Sequence, residues 1–280
     1  GLGSASFHPQ GNGSVGYVVP KERLTSSLAI FSVAGNVGVT LSPVFAVVMA
    51  KTVGLPALPF VATIPVLILA ACIFRYMPRF SEERPAAPAV RQGVIGALTS
   101  VFATIFPIWA VSVARDATSQ GIRFFLPIQI SARGGDITAV GAILFLMMLS
   151  STVAMVIGGK LADRYGKRQT LTLLLVLASL TLFPALWTTG GLSIALYLAG
   201  VSLVNATLPV TAALAQEMAP NSRSMASSIV MGLSWGIANL LTGPLGMVAD
   251  RFGIQTTMAI VASLPLCALP FMVFFSRGRN

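Results

Sequence analysis

The sequence predicts an all-α polytopic membrane protein. Only 9% of its 280 residues are charged, while 55% are hydrophobic. The mean hydropathy is +0.84, more than a water-soluble domain of this length needs for its core. The charge-free runs also have bilayer length, since a hydrocarbon slab about 30 Å thick is crossed by about 20 residues of helix. These runs carry Leu, Ala, Val and Met on all sides rather than the ten-residue alternation of an outer-membrane barrel. Helices, which satisfy their own backbone groups in lipid, are therefore expected.

Residues 1–20 hold no Lys, Arg, Asp or Glu and open without Met inside an apolar pattern. They read as the remainder of a helix from a longer chain. Complete crossings are expected at 24–50, 52–74, somewhere within 92–132, and at 137–159, 169–190, 191–216, 224–249 and 252–276, eight in all. Residues 78–91, PRFSEERPAAPAVR, form the one long polar stretch, rich in Pro and charge, and have the composition of a linker between bundles. The expected organisation is residues 1–77 as the rest of an N-terminal helical half, a cytoplasmic linker at 78–91, and a C-terminal six-helix half at 92–280.

The formal charge of +10 has a topological cause. Counting alternate loops, Lys51, Arg133 and Arg251 fall on one side and Arg115 and Arg123 lie in or near the third span. The other thirteen of the 18 Lys and Arg share the opposite side. Cytoplasmic loops concentrate Lys and Arg, so that side, with the C-terminus, is expected in the cytoplasm. No aromatic-interleaved basic face accompanies the charge, which excludes nucleic acid as its partner. Cys72 and Cys267 stand alone in apolar runs and read as small buried hydrophobes.

A weak internal echo links the two sides of the linker. At a shift of 201 residues Ser26, Ser27, Gly35 and Pro43 superpose on Ser227, Ser228, Gly236 and Pro244. That spacing fits parallel six-helix halves, each with a small-residue helix fifth in order. Gly35, Gly38 and Pro43 on one side, and Gly236, Gly243 and Pro244 on the other, are expected to let helices approach closely and bend.

The densest charge lies at a hinge between two apolar runs. GGKLADRYGKR, residues 158–168, carries Lys160, Asp163, Arg164, Lys167 and Arg168. Gly159, Asp163, Arg164, Gly166 and Arg168 resemble the G-x-x-x-D-R-x-G-x-R loop of the major facilitator superfamily, found there between helices two and three and between eight and nine. Here the loop would join helices eight and nine of twelve if about three precede the chain. The resemblance implies two pseudo-symmetric six-helix halves rocking about a central site, in a bacterial inner membrane. A Gly at the turn, an Asp able to accept from a helix start and two surface Arg suit a conformational latch; a loop that only fixes topology is the rival reading. ADRFG at 249–253 repeats part of the pattern on the outer side and is expected to be an interfacial loop.

A narrower resemblance points to drug exporters within the superfamily. GLGSASFHPQGNGS, then Arg23, Ser27, Phe31 and GNVGVTLSP at 35–43, is similar to their fourth and fifth helices. Arg115, Gly121 and Phe125-Leu126-Pro127 continue the likeness. Gln10 stands where those exporters carry an acidic residue, and Asp116 beside the Arg is not expected from them.

Ionisable groups at membrane depth cost at least about 2.5 kcal/mol and point to function. If the third span begins at Gln92, Arg115 emerges at the outer surface; if it runs from about Thr99 to Gln129, Arg115 and Asp116 sit near the midplane. The resemblance implies the second register. Asp116, Gln120 and Arg123 then share one helical face, while Arg115 stands about 100° around the helix with no reason in the spacing to pair with Asp116. Arg115, Gln120, Arg123, Asn36 and Asn239 are the expected substrate contacts, a guanidinium suiting a phosphonate or carboxylate. Asp116 is the candidate proton carrier, since burial favours its acid form and a nearby guanidinium its carboxylate. His8 is the other titratable candidate, against the plainer reading of a packing residue. Asn205 is a further polar group at depth.

The expected protein is a monomeric secondary transporter without cofactor or metal, coupling proton movement to efflux of a small, anionic drug-like molecule. Import or exchange of an organic acid or sugar metabolite, or a non-transporting sensor, are the alternatives. One His, two separated Cys and one deep carboxylate do not furnish a membrane-embedded enzyme, and no nucleotide-binding Gly-rich loop occurs.

Overall fold

The structure, a computed structural model, describes residues 2–76, 93–134 and 137–276. The expected linker at 78–91 lies outside the described residues. The helices are α1 (Leu2–Val18), α2 (Leu24–Thr52), α3 (Leu58–Tyr76), α4 (Val94–Ala132), α5 (Ile137–Tyr165), α6 (Lys167–Trp187), α7 (Gly190–Ala206), α8 (Leu208–Met218), α9 (Arg223–Ser227), α10 (Ser234–Phe252) and α11 (Ile254–Cys267). A π-helical turn, Ser228–Leu233, joins α9 to α10, and a 3-10 segment, Leu269–Ser276, follows α11.

Among the described residues, seven helical stretches are long and apolar enough to cross a membrane. They coincide with seven of the eight expected crossings, and the remaining one, 24–50, lies in the continuous helix α2. Two crossings are composite. α7 and α8 form one span broken at Thr207, where Pro209 cannot donate to the preceding turn. The second joins α9, the π turn and α10. Large apolar side chains such as Leu180, Leu240 and Phe252 point outward, as lipid rather than water demands. Cys72 and Cys267 are exposed rather than buried, for the same reason: an apolar residue in a spanning helix does not need the core.

The chain divides into two compact units, one of residues 1–34 and 96–280, the other of 35–95. In the smaller unit, α3 turns Phe60, Ile64, Leu67 and Phe74 outward. In the larger, α5 and α6 pack most closely against α7, and α4 contributes to both apolar clusters. α4 buries Ile122, Phe125 and Leu126 with Leu182, Tyr197 and Val261 towards one end, and Ile105, Ile108 and Val111 with Leu171, Val210 and Ile229 towards the other.

Close helix approach in this unit relies on glycines other than those expected. A Cβ on Gly158 would strike the Ala206 carbonyl, and one on Gly121 would stand 2.7 Å from Val261 Cγ2. Gly236 and Gly243, by contrast, have no atom of the described residues within 4 Å of that position, and the same holds for Gly35 and Gly38. Among the described residues these four thus meet no neighbouring helix closely. α10 packs through its Ser234 and Ala238 face, and its glycines lie on other faces. Pro244 sits inside α10 and Pro43 inside α2, the latter with its side chain outside the described ones.

Candidate functional site

α4 runs unbroken for 39 residues, and Arg115 and Asp116 lie close to its centre, 1% and 7% exposed. Arg115 curls back along its own helix. Its Nε donates to Asp116 Oδ1 at 2.9 Å and its Nη2 to Asp116 Oδ2 at 2.8 Å. Adjacent positions on a helix face different directions, so spacing alone gives no reason for this pair. The long guanidinium stem closes the gap, and two charges in a dry interior have no better partner. Thr211 of α8 accepts from Arg115 Nη1, and Ser234 donates to Asp116 Oδ2 at 2.7 Å. Each charge is therefore paired and further hydrogen-bonded across helices.

One turn further along α4 the character changes. Gln120 Nε2 donates to Asn239 Oδ1 at 2.7 Å, and Asn239 Nδ2 donates to the Trp235 carbonyl at 2.8 Å. Gln120 and Asn239, with Arg123, Phe124 and Thr242, line a cavity of about 240 Å³ between α4 and α10. Arg123 is exposed and makes no hydrogen bond or ion pair among the described residues. With the Arg115–Asp116 pair neutral, Arg123 leaves one uncompensated positive charge beside the cavity.

The structure thus brings together Arg115 with Asp116 and, separately, Gln120, Arg123 and Asn239. Asn36 belongs to the 35–95 unit and is not among the cavity residues. His8 falls in α1, its side chain outside the described ones. Asn205 joins α4 to α5, accepting from Ser119 Oγ at 3.2 Å and donating to Ser151 Oγ at 3.1 Å, a packing role. Sequence reasoning missed Thr211, Ser234, Phe124 and Thr242. The last could be found from the spacing, because Ser234, Ala238 and Thr242 recur every four residues on one face of α10.

At the basic end, Asp163 near the end of α5 accepts two backbone N–H groups at the start of α2, from Thr25 at 3.2 Å and Ser26 at 2.8 Å. α2 follows a 3-10 turn whose leading residue, Pro20, supplies no side-chain cap. Asp163 provides that cap from another helix and places a negative charge at the positive end of the α2 dipole. Gly159, one turn earlier, allows the approach. Gly166 then turns the chain at φ +94° into α6, and Arg164 stacks over Tyr165 at 5.2 Å. Arg168 is exposed on the first turn of α6, and Lys167 pairs with Glu217 at 3.1 Å. ADRFG repeats this local geometry. α10 continues to Phe252, Gly253 turns at φ +86°, and Arg251 stacks over Phe252 at 5.5 Å.

Bilayer-length helices around a buried ion pair, with a guanidinium at a small polar cavity, mark a polytopic membrane protein. The chain belongs to the major facilitator superfamily, whose family model matches residues 1–243 and 108–279. It is 27% identical over 293 residues to the fosmidomycin resistance protein of Escherichia coli (strain K12), covering all of this chain and 69% of that protein. It is 28% identical over 279 residues to YfnC, an uncharacterised MFS-type transporter of Bacillus subtilis (strain 168), covering 96% of this chain and 67% of that one.

Proposed function

We propose that this chain works in proton-coupled efflux of a small anionic drug-like molecule across the bacterial inner membrane, by alternating access of two helical halves, 1–77 and 92–280, joined by the 78–91 segment. The observation that carries the reading is the free Arg123 guanidinium beside the cavity, with Gln120 and Asn239 amides as neutral donors and acceptors and Phe124 as an apolar wall. An oxyanion entering there gains a charge-assisted hydrogen bond and cancels an isolated charge. Asn36 is assigned to the same substrate path, and His8 to proton handling.

In this reading Arg115 does not hold the substrate directly while Asp116 is ionised, because that carboxylate neutralises its charge and takes its Nε and Nη2 donations. The pair is the coupling element. Protonating Asp116 frees Arg115, and restoring the carboxylate recaptures it, so one proton changes the charge seen by the cavity. Gly159, Asp163, Arg164, Gly166 and Arg168 form the latch that holds α5 against α2 in one state and lets go in the other. The basic end and the C-terminus face the cytoplasm, and the protein acts as a monomer. The name of the Escherichia coli relative supports drug export as the direction.

The test uses the full-length protein in proteoliposomes with an imposed pH gradient and a panel of small phosphonates and carboxylates. Gradient-driven movement of an anion that Arg123→Ala abolishes supports the proposal. Movement indifferent to both the gradient and Arg123 rejects it.

A further inference from the structure

The π-helical turn Ser228–Leu233 is the one such turn among the described residues, and it lies directly before Ser234. Such turns are rare, cost regular hydrogen bonds, and gather at functional sites. Ser234 Oγ lies 2.7 Å from Asp116 Oδ2 and also within hydrogen-bond reach of the Val230 carbonyl inside the π turn. A hydroxyl carries one proton and can satisfy only one of these acceptors at a time.

We propose that Ser234 is a two-position hydrogen-bond switch that transmits the charge state of Asp116 to the π turn and thence to the cavity wall of α10. This rests on the proposed role of Asp116 as the group that changes charge. While Asp116 is ionised, the charge-assisted bond takes the Ser234 proton and the Val230 carbonyl goes without it. Once Asp116 is neutral, the preference disappears and the proton turns to Val230. That contact is the i−4 back-bond by which Ser and Thr bend helices.

Geometry carries the effect onward. Trp235 follows Ser234, its carbonyl receives Asn239 Nδ2, and Asn239 receives Gln120 Nε2 at the cavity. Gly232 and Gly236, on either side of Ser234, leave open space for the backbone to shift. The charged groups near Asp116 are Arg115 and Arg123 of its own helix, while α8 and α10 offer it only the neighbouring Thr211 and Ser234 hydroxyls. Ser234 is thus the contact through which α10 senses Asp116.

Trp235 reports on this directly. In full-length protein in lipid nanodiscs, with Trp109→Phe and Trp187→Phe and any other tryptophan likewise replaced, its fluorescence is followed from acid to alkaline pH. A pH-dependent change is expected, and Ser234→Ala is expected to abolish it because the hydroxyl that answers to the Asp116 charge is gone. Asp116→Asn is expected to abolish it and Ser234→Thr to restore it. Ser228→Ala, which loses only a back-bond to Ser224 on the same helix, is expected to leave it unchanged. Ser234→Cys, a weak donor, should behave as Ala and serves if Ser234→Ala does not fold. A change that survives Ser234→Ala or Asp116→Asn, or that is missing from the parent protein, overturns the switch. The efflux assay fails or succeeds independently: gradient-driven efflux that persists in Asp116→Asn removes the proton-carrier role, whereas efflux lost in that variant beside unaltered fluorescence removes only the switch.

Discussion

Gly159 lies so close to α2 that a Cβ added to it would stand 2.8 Å from the Ala29 Cβ and 3.0 Å from the Thr25 carbonyl oxygen. The contact involves backbone on the α2 side, so a side chain at 159 must push the helices apart. Gly159→Val is expected to withdraw Asp163 from Thr25 and Ser26 and to raise the reactivity of a cysteine placed at Thr25. Asp163→Ala, which removes the cap but not the space, should cost about 1 kcal/mol. Equal labelling of Thr25→Cys with and without Gly159→Val would remove the latch from the model of transport.

The buried ion pair sets a second expectation. Removing one member leaves a charge in a dry interior, at a cost of about 3–5 kcal/mol. Arg115→Met alone should therefore lower thermal stability in detergent more than the double change Arg115→Met with Asp116→Leu, which removes both charges and fills similar volume. A double variant less stable than either single one would mean that the pair is not an isolated electrostatic unit.

Arg123 separates charge recognition from folding. It is exposed at the cavity and bonded to nothing among the described residues, so Arg123→Ala should express and fold normally. Loss of a hydrogen bond to a charged group is worth about 1.5–3 kcal/mol, hence roughly a ten- to hundred-fold weaker anion affinity. Arg123→Lys should recover part of it. Binding isotherms with an anionic ligand and its neutral ester test this, and the ester should lose little.

Gly166 and Gly253 turn the chain at φ +94° and +86°, where a side chain is strained. Gly166→Ala and Gly253→Ala should each cost on the order of 1–3 kcal/mol. Gly191→Ala, which meets nothing within 4 Å at a position of ordinary φ inside α7, should be near neutral. Melting temperatures of the three variants, measured side by side, decide the matter.

Much of the fold was legible because lipid imposes one simple length rule. The seven helical stretches recognised as crossings follow charge-free runs visible in the sequence, and the hinge GGKLADRYGKR turns between α5 and α6 where its Gly spacing places it. The resemblance placed Arg115 and Asp116 at depth, and helical periodicity put Gln120 and Arg123 on a face shared with Asp116. The partners were not legible. Ser234 and Thr211 are ordinary hydroxyls in ordinary sequence, and they become specific only through the 118 and 96 residues of chain that the fold closes between them and α4.

The sequence by itself determined the class of solvent, most of the crossings, and which charges had to be explained, since these depend on composition and on neighbours along the chain. Only the tertiary structure decided that Arg115 is spent on Asp116 while Arg123 makes no bond among the described residues, that Asp163 caps α2, and that Gly121 and Gly158 stand where a neighbouring helix crowds a missing Cβ. Each of those outcomes is a competition among distant groups for one donor, one acceptor or one small volume, and the winner is set by which helices lie side by side.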